Sequence, residues 1–150
     1  MIFVGLTGVH HALIAAHVFI DDLHSNNFRL IQHFGDRDLE KKGDLFCVGQ
    51  DDHGALIYTF GAGHDQELAA GVIEELRNIL GFDEKDLAVR AVSIPGDAII
   101  AALGRIPAYM GGSCLQNLLG QILIAWQFER IKNETLTFKS EMESRRSELQ

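Results

Sequence analysis

The first 23 residues, Met1–Leu23 (MIFVGLTGVHHALIAAHVFIDDL), decide the fold that we predict for this chain. The apolar run Ile2–Leu6 shows no polar alternation, which predicts a strand buried on both faces of a sheet. A glycine-bearing turn, Gly5–His11, follows, and a helix pattern begins at about Val9 or His10 and ends near Leu23. A strand, a tight turn and a helix start direct several backbone N–H groups toward one point, the usual physical basis of an anion or phosphate site.

Composition limits the classes of protein to which the chain can belong. Its 150 residues are 47% hydrophobic and 23% charged, which suits one globular domain. With 13 basic and 21 acidic residues the net charge is −8, which argues against nucleic-acid and anionic-lipid partners. We see no charged leader and no apolar run of the ~18–20 residues that a membrane span needs, and therefore predict a cytoplasmic protein without membrane contact.

The two cysteines, Cys47 and Cys114, lie among apolar or small residues without a CxxC pair. This pattern is typical of buried thiols in a reducing compartment.

Further strands and helices alternate along the rest of the chain. Strands are predicted at Leu45–Gly49, Ala55–Gly61 and Leu87–Ile94, the first two forming a hairpin around the turn Asp51–Gly54. Helices are predicted at Phe28–Phe34, Asp65–Leu80 and Asp97–Leu103, and from about Ser113 to Lys132 or beyond, whereas Gly35–Gly43 is predicted to be a charged surface loop.

Connection rules turn these elements into a fold. Right-handed β-α-β crossovers make the first, third and fourth strands parallel, while the hairpin makes the second antiparallel to the third. We therefore expect an α/β fold: a three-layer single domain with a mixed, mostly parallel sheet of about four strands, one antiparallel hairpin strand and a long C-terminal helix. The domain is expected to cover residues 1–138, and residues 139–150 to form a polar tail that is a frayed helix or disordered.

The predicted topology brings three glycine-bearing loops to one edge of the sheet, where open α/β sheets bind ligands. The loops are Thr7–His11, Gly61–Asp65 and Ser93–Asp97, and each precedes a helix. The residues predicted to contact a ligand are Thr7, Gly8, Val9, His10, His11, Gly61, Gly63, Asp65, Gly96 and Asp97.

Two histidines in these loops, His10 and His64, are the candidate catalytic residues. A neutral imidazole near a helix N-terminus suits a hydrogen-bond donor or a general acid/base. The first loop has no Gly-Lys pair and is therefore not a Walker A motif. The alternatives are a tight turn without a ligand and histidines that simply lie near helix caps.

The sequence favours no metal site and identifies no cofactor. His17, Asp21 and His24 share a helix face, but no HxxxH pair and no cysteine cluster accompanies them. The last helix carries a broad apolar stripe that includes Trp126. One side of this stripe is wide enough for a homodimer interface.

Several short motifs resemble a known family. Gly8 and His10 match a Gly-Gly-Thr-His-Ser-Ser-like loop after the first strand, Ile57–Gly61 matches a hairpin strand of the type Val-Tyr-Thr-Leu-Gly, and Leu80-Gly81 matches a helix end. Over roughly residues 1–100 the chain resembles a domain-of-unknown-function family of short bacterial proteins, found mainly in anaerobic and spore-forming Gram-positive bacteria. The chain departs from the family at His11 and Ala12, where the family has small hydroxyl residues. The resemblance implies fold and compartment rather than an activity.

Three hypotheses remain open from the sequence. The first is a site for a phosphate- or carboxylate-bearing small molecule, with hydrolysis or group transfer as the reaction if the protein is an enzyme. The second is a non-catalytic binding or regulatory module that uses the same cleft or the last helix. The third is an oligomer subunit with a degenerate site.

Overall fold

A computed structural model describes residues 1–23, 31–93 and 112–147 of the chain. Its strands are β1 (Ile2–Gly5), β2 (Phe46–Gln50), β3 (Leu56–Gly61) and β4 (Val89–Val92). Its helices are α1 (His11–Phe19), α2 (Arg37–Lys42), α3 (Gln66–Ile79) and α4 (Gly112–Ser147).

The strands form one four-stranded sheet in the order β2-β3-β1-β4. β1 is parallel to both β3 and β4, and β2 is antiparallel to β3. The predicted mixed and mostly parallel sheet is therefore confirmed. In this register Gly5 lies opposite Gly61, so the chain leaves β1 and β3 at the same edge of the sheet.

Helices cover both faces of the sheet. Phe3 points to a core shared with α1 and α4, whereas its neighbours Ile2 and Val4 point to a core shared with α3. Phe3 is 1% exposed and Val4 is fully buried, so β1 is buried on both faces, as its apolar run predicts. The result is the expected three-layer α/β fold.

The predicted loop Gly35–Gly43 is wrong, because α2 lies within it. The helix is capped at both ends by neighbouring residues. The Asp36 carboxylate accepts the backbone N–H groups of Asp38 and Leu39, at 3.0 and 3.1 Å, and Gly43 ends the helix with a φ of 64°. Just before it, the part of the predicted Phe28–Phe34 helix that is described, Ile31–Phe34, forms turns instead.

The long C-terminal helix continues through Ser147, past the point at which a polar tail was expected to begin. Phe138 and Met142 are buried in the core on the α1 side of the sheet. Arg145 is paired with Glu84, at 2.6 Å, near the end of α4. The helix predicted at Asp97–Leu103 lies outside the described residues.

Cys47 is exposed, so its predicted burial is wrong. Its strand, β2, is at the edge of the sheet, and on one side it has no neighbouring strand among the described residues. The Cys114 side chain lies outside the described part of the chain. Within that part, no helix is both long and apolar enough to cross a bilayer.

Candidate functional site

The loop between β1 and α1 lies beside the chain that leaves β3. The Ala62 N–H group donates to the Gly5 carbonyl at 2.9 Å, and the Gly63 N–H group donates to the Leu6 carbonyl at 3.1 Å. Parallel pairing thus continues beyond the two strands and holds two of the three predicted loops together. The third loop includes Gly96 and Asp97, which lie outside the described residues.

Glycine at position 8 permits this close approach. A Cβ atom on Gly8 would lie 3.0 Å from the Gly61 backbone nitrogen and 3.3 Å from the Phe60 carbonyl carbon. Both neighbours are backbone atoms in a sheet, so neither can move away at low cost. The two loops can approach this closely because Gly8 has no side chain.

A carboxylate from a distant part of the chain occupies the backbone N–H groups of the first loop. Glu40 Oε2 accepts the N–H of Gly8 at 2.9 Å and the N–H of Val9 at 3.3 Å. The other carboxylate oxygen, Oε1, lies so close to Gly61 that a Cβ atom there would clash with it. The N–H groups for which an anion was predicted therefore donate to a carboxyl group of the chain itself.

Burial dominates the electrostatics of Glu40. It raises the pKa of the carboxyl above its ordinary value, and the hydrogen bonds from Gly8 and Val9 only partly offset this effect. Among the residues that the structure describes, no lysine, arginine or histidine forms an ion pair with Glu40. Two N–H donors therefore carry most of the stabilisation of this charge.

His10 is fixed beside the same N–H groups. Its Nδ1 atom is hydrogen-bonded to Thr7 Oγ1 at 2.9 Å. Its ring packs edge-on against Phe34, with ring centroids 5.4 Å apart. The Gly35 N–H group also donates to the Val9 carbonyl at 3.0 Å, so the chain entering α2 lines the loop as well. Thr7 and His10 are both partly exposed.

The second loop contributes a single 3₁₀ turn, Gly63–Asp65, which precedes α3. His64 and Asp65 are both exposed there, and the Asp65 side chain makes no capping hydrogen bond. Gly63 has a φ of 63°, which favours glycine at this position. His64 thus lies one residue from the contact between Gly63 and the first loop.

His11 differs from Thr7 and His10 in being buried: it is 2% exposed at the first position of α1. The structure thus brings together Thr7, Gly8, Val9, His10 and the loop from Gly61 to Asp65.

Sequence reasoning missed Glu40. Its segment was assigned to a surface loop, although Asp36 before it and Gly43 after it are ordinary signals for a helix start and a helix end. Those signals would have identified α2, but nothing local identifies the contact of Glu40 with Gly8, 32 residues earlier.

Two of the side chains considered for a metal site, His17 and Asp21, each pair with another side chain of the protein. His17 Nδ1 lies 2.9 Å from Asp22 Oδ2, and Asp21 is paired with Lys139. His24 lies outside the described residues. In the described part of the chain, no three potential metal-ligating side chains cluster together.

The predicted homodimer contact through the last helix stays a prediction. Three large apolar side chains on the described part of α4 are exposed: Ile122, Trp126 and Leu136.

Comparison with known proteins identifies a family. A family model described as a protein of unknown function (DUF3189) matches residues 1–140. Searches of curated proteins and of solved structures find no significant match.

Proposed function

The chain belongs to this family, whose description assigns no activity, and we propose that it binds a small molecule bearing a phosphate or carboxylate group at the β1–α1 loop. One observation carries this proposal: the Glu40 carboxylate accepts hydrogen bonds from the N–H groups of Gly8 and Val9. A loop that holds one oxyanion in this way has the donor geometry to hold another.

The neighbouring side chains suit such a ligand. The fixed ring of His10 lies next to the two N–H groups and can donate a hydrogen bond to an anion, more strongly when it is protonated. The exposed His64 lies at the rim and provides a second ring. Gly61 and Gly63, at the end of β3, add backbone beside the same loop.

If the bound molecule reacts, acid/base-assisted hydrolysis or group transfer is the reaction class that fits. His10 would exchange a proton with the reacting oxygen while the N–H groups of Gly8 and Val9 stabilise negative charge. A non-catalytic binding module would use the same contacts without turnover. Phosphate release from a panel of phosphomonoesters, measured for the wild type and for His10→Ala, separates the two roles.

A thermal-shift screen with inorganic phosphate, nucleotides and sugar phosphates tests the binding itself. A ligand at one hundred times its Kd adds about 2.7 kcal/mol of stability, which raises the Tm of a chain of this size by roughly 5–10 °C. His10→Ala should reduce the shift. His53→Ala, in the exposed turn between β2 and β3, is the matched control and should leave it unchanged. If no compound raises the Tm of the wild type, binding at this loop is refuted.

A further inference from the structure

The helix that contains Glu40, α2, is capped at both ends by residues of its own segment. Asp36 satisfies N–H groups at its start and Gly43 ends it, so α2 can keep its hydrogen bonds when it moves as a unit. It makes only sparse contacts with the other described strands and helices. The hydrogen bonds from Gly8 and Val9 to Glu40 are therefore a principal attachment of α2 to the sheet edge.

Glycines flank α2 on both sides. Gly35 and Gly43 have φ values of 71° and 64°, in a region that glycine enters freely. A Cβ atom on Gly43 would meet no atom within 4 Å, so the chain there is surrounded by open space. The connection that follows α2 can therefore change direction without a clash, whereas the connection that precedes it is held by the hydrogen bond from the Gly35 N–H to the Val9 carbonyl.

Keeping the charged Glu40 carboxylate in this position costs free energy, because the charge is partly removed from water. It is partly buried and has two N–H donors, and no basic side chain among the described residues pairs with it. A buried charge of this kind remains in place only while nothing better competes for its donors. A phosphate brings more acceptor oxygens and more charge to the same two donors.

We propose that Glu40 competes with the ligand for this site. Its carboxylate occupies the N–H groups of the loop and holds α2 against it. An incoming anion displaces the carboxylate and releases α2 from the loop. This inference rests on the proposed function, because it concerns the regulation of the same site. The N–H groups of Gly8 and Val9 cannot serve both anions, and two negative groups at this distance repel each other. The affinity of the wild type is therefore reduced by the fraction of molecules in which Glu40 is bound.

The first experiment compares the Kd for inorganic phosphate of the wild type, Glu40→Gln and Glu40→Ala by isothermal titration calorimetry. The glutamine variant keeps the shape and an acceptor oxygen but removes the charge, and it serves if the alanine variant folds poorly. Both should bind phosphate about tenfold more tightly than the wild type, within the usual range of coupling between sites. The matched control is Asp38→Asn, which removes an exposed carboxylate from the same helix and should leave the Kd unchanged.

The second experiment follows amide hydrogen exchange in residues 37–43 of the wild type with and without phosphate. Release of α2 predicts faster exchange in this segment when phosphate binds, although ligands generally slow exchange. Glu40→Ala should exchange quickly in both conditions. A carboxylate with a merely structural role would leave exchange in α2 unchanged or slower.

The outcomes separate the two proposals. If phosphate binds the wild type and both variants equally, Glu40 is no competitor, although the loop is an anion site. If phosphate binds only the wild type, Glu40 supports the site rather than closing it, and the inference is wrong. If phosphate and the screened phosphate esters bind none of the three proteins, the proposed function and this inference are both overturned.

Discussion

Two carboxylates in the same short segment each accept two backbone N–H groups, with opposite electrostatic results. Asp36 caps α2 from within its own segment, and the hydrogen bond from the Leu39 N–H, the largest of several effects, lowers its pKa. Glu40 reaches a loop 32 residues earlier, and burial raises its pKa. Two differences account for this. Burial penalises the charged form of Glu40, whereas His33, 3.5 Å from Asp36, favours the charged form of Asp36.

The largest expected effect comes from filling the space in which the distant carboxylate lies. In Gly61→Ala the new Cβ atom would lie 2.7 Å from the Gly8 backbone nitrogen and would also clash with Glu40 Oε1. We expect a loss of about 3 kcal/mol of stability, as for an overpacked site, measured by urea unfolding followed by circular dichroism.

Gly71→Ala is the control for this substitution. Its Cβ atom would meet no atom within 4 Å, and a helical glycine replaced by alanine gains roughly 0.5–1 kcal/mol. Equal effects of the two substitutions would show that Gly61 is not in a crowded position.

A smaller effect comes from removing each carboxylate in turn. Glu40→Ala leaves the buried N–H groups of Gly8 and Val9 without their acceptor and should cost about 2 kcal/mol. Asp36→Ala removes an exposed cap and should cost less, because water replaces the carboxylate at the helix start. Circular dichroism with urea unfolding measures both losses. If Asp36→Ala lost as much stability as Glu40→Ala, or more, the expected difference between the local and the remote contact would be wrong.

The smallest effect is the pH dependence of these two contacts, which should run in opposite directions. The folded protein raises the pKa of Glu40, so the part of its contribution that depends on pH is fully present below the ordinary glutamate value of about 4.3 and is lost as the pH rises through the higher folded value. The folded protein lowers the pKa of Asp36, so its contribution is present above the ordinary aspartate value of about 3.9 and is lost as the pH falls through the lower folded value.

The variants Glu40→Gln and Asp36→Asn isolate these contributions in a series of denaturant titrations between about pH 2 and about pH 6.5, which covers roughly two pH units on either side of the two ordinary values. The stability of the wild type relative to Glu40→Gln should fall as the pH rises, whereas its stability relative to Asp36→Asn should fall as the pH drops. A rise with pH in the first comparison would mean that the hydrogen bonds from Gly8 and Val9 outweigh burial.

Much of the fold follows from local patterns in the sequence. The unbroken apolar run of β1 predicts burial on both faces, and the Asp51–Gly54 turn predicts the hairpin of β2 and β3. Strand direction then follows from the handedness of crossovers. Because this reasoning places the exits of β1 and β3 at one edge, it also predicts the contact between the loops of Gly8 and Gly61.

The remaining features depend on contacts that no local pattern encodes. Glu40 lies in a charged hexapeptide whose composition is that of a solvated surface, and only the tertiary fold brings it to Gly8. The exposure of Cys47 depends on which strand lies at the edge of the sheet, and a β-hairpin alone does not settle this. Nearly all of α1 is buried, and the packing of α4 against it is likewise a contact that no local pattern predicts.

The exposure of one aromatic side chain on α4 has a practical consequence. Trp126 is the chain's single tryptophan, and it is 82% exposed. An indole in water fluoresces at nearly the same wavelength in the folded and unfolded protein, so its emission is a poor reporter of unfolding. The same emission would shift to the blue when another surface covers this part of the helix, which makes Trp126 a natural optical probe for self-association through α4.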